Sequence, residues 1–317
     1  MSQNRRGEMA SNNFSVKRWV HLTLRDMKRS IPLYIMIAPF IILFFVFVVY
    51  PVLMAIWYSF TDFNVLEKAN FVGLSNYQKL FLDDSIFITA IKNTLIIAVI
   101  VGPGGYIMSF LLAWMINELP HTAGSILTVI FYAPSMAGAA VYAVFGQIFA
   151  NDSKGYLNAI LQNFGITSEP ILWLSDSDFV MVVVILASLW MSMGVGFLSF
   201  VAGIKGVDDA QYEAGAIDGI KNRWQELWYI TLPNMKPQLL FGAVMAITGA
   251  LSVGPVGDAL VGFPSPNYAT HTIVNHLNDY GSIRMEMGYA SSIAFILFLL
   301  MIAANALIQK LLRKVGT

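Results

Sequence analysis

The stretch Tyr212–Pro237, YEAGAIDGIKNRWQELWYITLPNMKP, decides the reading of this chain. It carries Glu213, Asp218, Lys221, Arg223, Glu226 and Lys236, whereas the runs flanking it, Phe179–Ile204 and Gln238–Val256, hold no Asp, Glu, Lys or Arg besides. A segment this charged, punctuated by glycine and closed by Pro233 and Pro237, belongs in water. The runs beside it belong in hydrocarbon, because burying an unpaired charge there costs far more than a fold can supply.

The wider sequence repeats that alternation. The 317 residues are 57% hydrophobic and 12% charged, against about 25% charged in a soluble domain. About 20 helical residues cross a bilayer core of about 30 Å. Six charge-free windows reach or approach that length: Ile31–Phe60, Asn93–Asn117, Thr122–Asn151, Phe179–Ile204, Gln238–Val256 and Met287–Gln309. The third and fifth hold more Gly, Pro and Ser than the rest. The first follows about thirty polar residues and is too long for a signal-peptide core, so a retained helix is expected. The expected fold is all-α and polytopic: a basic N-terminal segment over 1–30, a six-span domain over 31–312 and a short tail over 313–317.

Lys and Arg set the orientation. Fourteen of the nineteen fall in the leader, in the segment from Lys205 to Lys236 and in the tail. The other five, Lys68, Lys79, Lys92, Lys154 and Arg284, lie on the opposite side of this topology. The basic side is therefore read as cytoplasmic, with both termini inside. The turn Glu118–His121 carries no Lys or Arg and is silent on the point. In the leader, Phe14, Val16, Trp19 and Val20 interleave with Lys17 and Arg18. That pattern suits an amphipathic stretch on anionic lipid or a charged tail, and both readings stand.

No catalytic engine is visible. The chain lacks a phosphate-binding G-x-x-x-x-G-K-[ST] loop, and the three glycines of VGPGGY, Val101–Tyr106, sit inside the second window, where bending or close helix packing is expected. The windows contain no Asp, Glu, Lys, Arg or His, which argues against a proton- or sodium-driven carrier and against intramembrane acid–base catalysis. His271 and His276 are five apart, not the three or four that align two imidazoles on a helix, and are read as solvated loop residues. No cofactor is expected on this chain, and zero Cys excludes thiol chemistry.

The charged stretch itself reads as two short helices. Glu213–Ile217 suits the first, Gly219 its terminal turn, and Asn222 the N-cap of a second helix from Arg223. Trp224, Leu227 and Trp228 then share an apolar face. Such a hairpin fits a partner's groove or lies on lipid headgroups, and periodicity does not separate the two.

At these residues the chain resembles the permeases of binding-protein-dependent ABC importers. Their EAA signature is E-A-A-x3-G, then a spacer, then I-x-L-P. Glu213, Ala214, Gly219, Ile230, Leu232 and Pro233 match it, with Gly215 in place of the second Ala, Asp218 preceding the glycine, and a spacer of ten residues where nine is usual. The turn at Lys221 and Asn222 is the expected place for the extra residue. YPV at Tyr50–Val52, YSFTDF at Tyr58–Phe63, FVGLSNYQKLF at Phe71–Phe81 and KNT at Lys92–Thr94 are similar to the carbohydrate-uptake, MalF-like branch, though no outer loop is domain-sized.

The resemblance implies the remaining expectations. The segment about 205–237 would be a cytoplasmic coupling loop. The partners would be a second homologous permease, a cytoplasmic ATPase dimer holding ATP and Mg, an extracytoplasmic solute-binding protein and the membrane lipid, with no role for nucleic acid. The cargo would be a sugar or oligosaccharide, with a polyol, glycerol phosphate or another solute as the alternative, and a channel or scaffold needing no ATPase as the other class. Related permeases line their path with the fourth and fifth spans, which implies Trp190, Met191, Met193, Thr248 and Ser252, with Asn305 from the sixth; helix packing is the competing role for each.

Overall fold

The computed structural model describes residues 30–312. The basic leader with its Trp19 stretch and the tail 313–317 lie outside the described residues. Beyond a single antiparallel bridge between Thr61 and Phe71, the described residues contain helices, turns and loops. The chain divides after Met54 into two compact units. The described part of the first belongs to helix α1, Ile31–Tyr58, none of whose residues up to Met54 is buried. In water that surface would be untenable; a bilayer solvates it.

The second unit is organised around α2, Ser85–Asn117. Asp84 caps it, its carboxylate accepting from the Phe87 backbone N–H at 2.9 Å. Pro103 is carried within the helix, as spans tolerate when neighbours re-satisfy the freed groups. Three buried clusters succeed one another along α2: Phe87 and Ala90 at one end, Ile97 and Val101 in the middle, Phe110, Ala113 and Ile116 at the other. VGPGGY lies between the last two, where Gly105 faces Ser192 so closely that a Cβ would collide with its hydroxyl. Close packing is thus what these glycines permit.

Around α2 the other elements follow in order: α3 (His121–Ala137), α4 (Ala139–Ile148), α5 (Tyr156–Asn163), α6 (Ser177–Met191), α7 (Val195–Lys205), α8 (Asp209–Ile217), α9 (Arg223–Glu226), α10 (Lys236–Leu251), α11 (Pro255–Val261), α12 (Ile273–Asn278) and α13 (Met287–Leu312). Among the described residues, four helical stretches are long and apolar enough to cross a membrane, and up to six if each bent pair counts as one span. The third and fifth windows, expected as spans, are each bent. The third window bends by 95° between α3 and α4 at Gly138, and the fifth by 47° between α10 and α11. These are the two windows rich in Gly, Pro and Ser, residues that leave a helix cheaply. The second limb, α11, also carries Asp258, so the fifth helix pair is not free of ionisable groups.

Candidate functional site

Three regions bear on function: the helical loop at the Glu118 end of α2, a cleft at its middle, and a polar network at its Asp84 end.

In the loop, α8 starts four residues before Glu213, because Asp208 caps it by accepting from the Ala210 N–H at 3.0 Å. Its far end is a Schellman cap. The Gly219 N–H donates to the Ala216 carbonyl at 3.3 Å, and the Ile220 N–H reaches back to the Gly215 carbonyl at 2.9 Å. The cap requires a left-handed residue, and Gly219 supplies it at φ +97° with open space about its Cα. The glycine at 215 has a different cause. A Cβ there would stand 2.6 Å from Ile230 Cδ1 and 3.0 Å from Ile220 Cδ1, so the missing methyl lets both isoleucines close over the helix. Asn222 caps α9 through the Gln225 N–H at 2.9 Å, while Gln225 Oε1 accepts from the Lys221 N–H at 2.8 Å.

A wide π-turn, Leu227–Thr231, follows and leads into Leu232–Asn234. Three contacts tie this return limb to α8: Tyr212 hydroxyl to Thr231 hydroxyl at 3.0 Å, Asn234 Nδ2 donating to Gln211 Oε1 at 2.7 Å, and Gly215 beneath Ile230. The expected shared face of Trp224, Leu227 and Trp228 does not form. Leu227 is buried among Phe110, Ala113 and Phe200, while Trp224 and Trp228 are each 65% exposed. The wider turn rotates successive residues differently from an α-helix, which separates them. Glu213, Ala214, Asp218 and Pro233 are exposed, Gly215 and Ile230 are buried, and Leu232 is half-buried.

The cleft, about 360 Å³, opens where two helices break. Both breaks have the same sequence form, Ser192-Met193-Gly194 and Ser252-Val253-Gly254. In each, the serine hydroxyl donates back to the preceding turn, Ser192 to Leu189 O at 2.7 Å and Ser252 to Thr248 O at 2.8 Å. In each, the glycine N–H donates to the serine carbonyl two residues back at 2.8 Å. Non-helical backbone at membrane depth is tolerated where it lines a cavity. Of the expected path residues the cleft gathers Met191 and Ser252, beside Tyr142, Ser188 and Gly249. Trp190 instead packs on Phe145 at 5.6 Å, and Met193 is 4% exposed in the cluster with Phe197 and Phe200. Thr248 is half-buried and does not line the cleft; Asn305 is also outside it, its Oδ1 buried without a hydrogen-bond partner.

At the Asp84 end, the expectation of solvated histidines is overturned. His271 and His276 are each 2% exposed. Asp84 Oδ2 accepts from the Tyr289 hydroxyl at 2.8 Å and from His276 Nε2 at 3.0 Å. His276 Nδ1 then accepts from His271 Nε2 at 3.1 Å, which leaves His271 Nδ1 buried without a partner. Burial pushes His271 down to about 4, with the neighbouring His276 adding to it and Asp279 and Asp84 opposing. Burial also lowers His276, against the pull of Asp84. Burial alone would raise Asp84, yet the Phe87 N–H, the Tyr289 hydroxyl and His276 outweigh it and hold its carboxyl below the usual range. Asp279 is buried too, paired with Arg284 at 2.7 Å. Spacing along one helix missed these histidines because they meet through a loop and not on one helix face.

The family-like motifs now have physical roles that the sequence reading left unstated. Asn93 of KNT donates to the carbonyls of Tyr268 and His271 at 2.9 and 3.0 Å, and the Thr94 hydroxyl accepts from the Ile273 N–H at 2.9 Å. Asn76 of SNYQ donates to the carbonyls of Ser59 and Thr61 at 3.0 and 2.8 Å. Asn158, fully buried, binds Ala150 O, Ile171 O and the Trp173 indole N–H. Each is an asparagine holding a loop's backbone to a helix. Among the described residues no three His, Asp or Glu side chains converge on a metal site.

No family model matches the sequence. The chain is 30% identical over 292 residues to the arabinooligosaccharides transport system permease protein AraP of Bacillus subtilis, covering 90% of this chain and 89% of that one. It is 28% identical over 280 residues to the lactose transport system permease protein LacF of Rhizobium radiobacter, covering 87% and 92%. Its fold superimposes with a TM-score of 0.75 on a chain of a crystal structure of a bacterial ABC transporter involved in import of the acidic polysaccharide alginate, at 25% identity over 93% of this chain and 99% of that chain.

Proposed function

The chain belongs to the permease family of carbohydrate ABC importers, and from that premise we propose that it is the membrane subunit that passes a neutral sugar or oligosaccharide inward while a partner ATPase supplies the energy. The observation that carries the reading is the capped loop of α8 and α9. It is pinned to the span cluster by Leu227 and Met235, yet it presents Ile217, Trp224, Trp228 and Tyr229 to solvent, between 65% and 87% exposed, beside Glu213 and Asp218. An apolar patch with an acidic edge on a rigid hairpin fits the groove of a water-soluble partner. This favours docking on an ATPase over lying on headgroups, where acidic residues would meet anionic lipid.

In this reading the loop faces the cytoplasm, the six windows are six spans with the third, fourth and fifth interrupted, and both termini are inside. ATP and Mg sit on the partner. ATP-driven closure of the ATPase dimer moves the loop, and the spans turn between inward- and outward-facing states. A bias of about 5.5 kcal/mol inverts a 1:99 population. The π-turn at Leu227–Thr231 holds one residue more than an α-turn and accommodates the longer spacer, in place of the turn at Lys221 and Asn222. The 264–283 segment, fastened by Asn93 and His276, faces the solute-binding protein.

The cleft supports a neutral cargo. Its lining is mostly apolar, with Val101, Val195, Val253 and Val256 beside Met191 and Met245; its polar side chains are Tyr142, Ser188, Ser192 and Ser252, and it holds no Asp, Glu, Lys or Arg. A glycerol phosphate would need cations or several N–H donors there. The test is purification of the tagged chain from its native membrane. An ATPase should accompany it, and ATP hydrolysis should rise with sugar-loaded binding protein. Purification without any ATPase would refute the reading; stimulation by glycerol phosphate and not by sugars would refute the cargo.

A further inference from the structure

The loop's second helix, α9, is the first turn of a continuous helical stretch that runs on through the π-turn Leu227–Thr231 to Asn234. Its side chains outside the loop meet one neighbour above all, the end of α2. The Trp224 ring lies against Trp114 of α2, centroids 5.0 Å apart. The Arg223 guanidinium forks between two carboxylates, Glu118 Oε2 at 3.0 Å and Glu226 Oε2 at 2.6 Å. Glu118 is the C-cap residue of α2. An acid there opposes the partial negative charge of the helix end, and a cation brought beside it relieves both. The first helix of the loop, α8, is tied instead to the return limb through Tyr212, Gln211 and Gly215.

We propose that Glu118, Arg223, Trp114 and Trp224 form a latch through which the loop drives α2, so that Glu118 and Arg223 are positioning residues for transmission rather than for docking. This rests on the coupling role proposed above for the loop. The argument is geometric. Besides the backbone that joins the loop to α7 and α10, force applied to the exposed face of α8 and α9 reaches the spans through the apolar seats of Leu227 and Met235, in the cluster with Phe110 and Ala113, and through the latch. Leu227 resists separation but an apolar contact slides. The forked guanidinium resists sliding, because its N–H directions are fixed. Displacement of α9 along the membrane plane therefore carries the end of α2 with it. That helix reaches the cleft through Val101 and the far network through Asp84.

The experiment uses the complete importer in proteoliposomes with Glu118→Arg, Arg223→Glu and the double reversal, and reads ATPase retention and sugar-stimulated ATP hydrolysis separately. Each single reversal should retain the ATPase and lose stimulation roughly fivefold, the ratio an exposed ion pair at its upper strength sets. The double reversal, made in a Glu226→Gln background so that the acid placed at 223 does not face a second carboxylate, should recover to within roughly twofold of that background. If a single reversal fails to assemble, Glu118→Gln, which removes the charge without repulsion, should lose roughly twofold. Full stimulation in the single reversals or in Glu118→Gln, no recovery in the double, or loss of the ATPase from assembled single reversals would each overturn the latch. Failure of the underlying coupling reading shows differently: Gly219→Pro would then keep both the ATPase and stimulated hydrolysis.

Discussion

Replacing Gly219 tests the loop most cleanly, because its surroundings remove the usual ambiguity. A Cβ at this position meets nothing within 4 Å, so alanine adds no clash. What it adds is backbone strain at φ +97°, about 1–2 kcal/mol for a left-handed alanine. Asparagine tolerates this region better and should lose less, about half as much. Proline cannot reach the angle at all. It also removes the N–H that bonds Ala216 O and breaks the Ile220 to Gly215 bond, so two hydrogen bonds of about 1 kcal/mol each join the strain, about 3–4 kcal/mol in total. At about 1.4 kcal/mol per factor of ten, the docked loop population falls in the order Gly, Asn, Ala, Pro. Alanine should lose about fivefold to thirtyfold where that population is marginal, and proline should abolish function. The assay is sugar uptake by proteoliposomes with pull-down of the ATPase. An alanine variant equal to glycine would refute the claim that this turn sets the loop's path. An asparagine variant worse than alanine would point to a contact at the position and away from backbone strain.

Three further outcomes are expected. Asn93→Ala strands the carbonyls of Tyr268 and His271, a loss of about 2–3 kcal/mol at a buried site; limited proteolysis should cut the 264–283 segment faster, and an unchanged rate would contradict the clamp. His271 is held down to about 4 from an ordinary 6.5, so the folded loop binds fewer protons than the unfolded one between those values. Its contribution is fully present above about pH 6.5 and is lost as pH falls to about 4, at most about 3 kcal/mol; the hydrogen-exchange protection factors of 264–283, taken relative to the intrinsic rate at each pH, should fall across that window, and His271→Gln should flatten the change. Gly249 lines the cleft with open space where a side chain would start, so Gly249→Phe should block uptake while the importer still assembles; normal uptake would remove the cleft from the path.

What the sequence determined by itself is whatever depends on local chemistry and on solvent. Charge-free windows fix which segments meet lipid, because each residue's transfer cost is nearly independent of its neighbours. Gly219 and Asn222 were legible as cap residues, because a Schellman turn and an N-cap are written within a few positions of chain. The breaks at Gly138 and at Ser252–Gly254 were half legible, as a surplus of Gly, Pro and Ser with no angle attached. Only the tertiary structure decided what meets across distance. His271 and His276 become a buried pair because α2 brings Asp84, 192 residues earlier in the chain than His276, to its side. Trp190 and Met193 become core while Met191 faces the cleft, although all three lie within four positions of one another. A helix offers every one of its faces to the same sequence pattern when the solvent is lipid, so amphipathicity no longer marks the inside, and packing partners far along the chain choose which face lines the path.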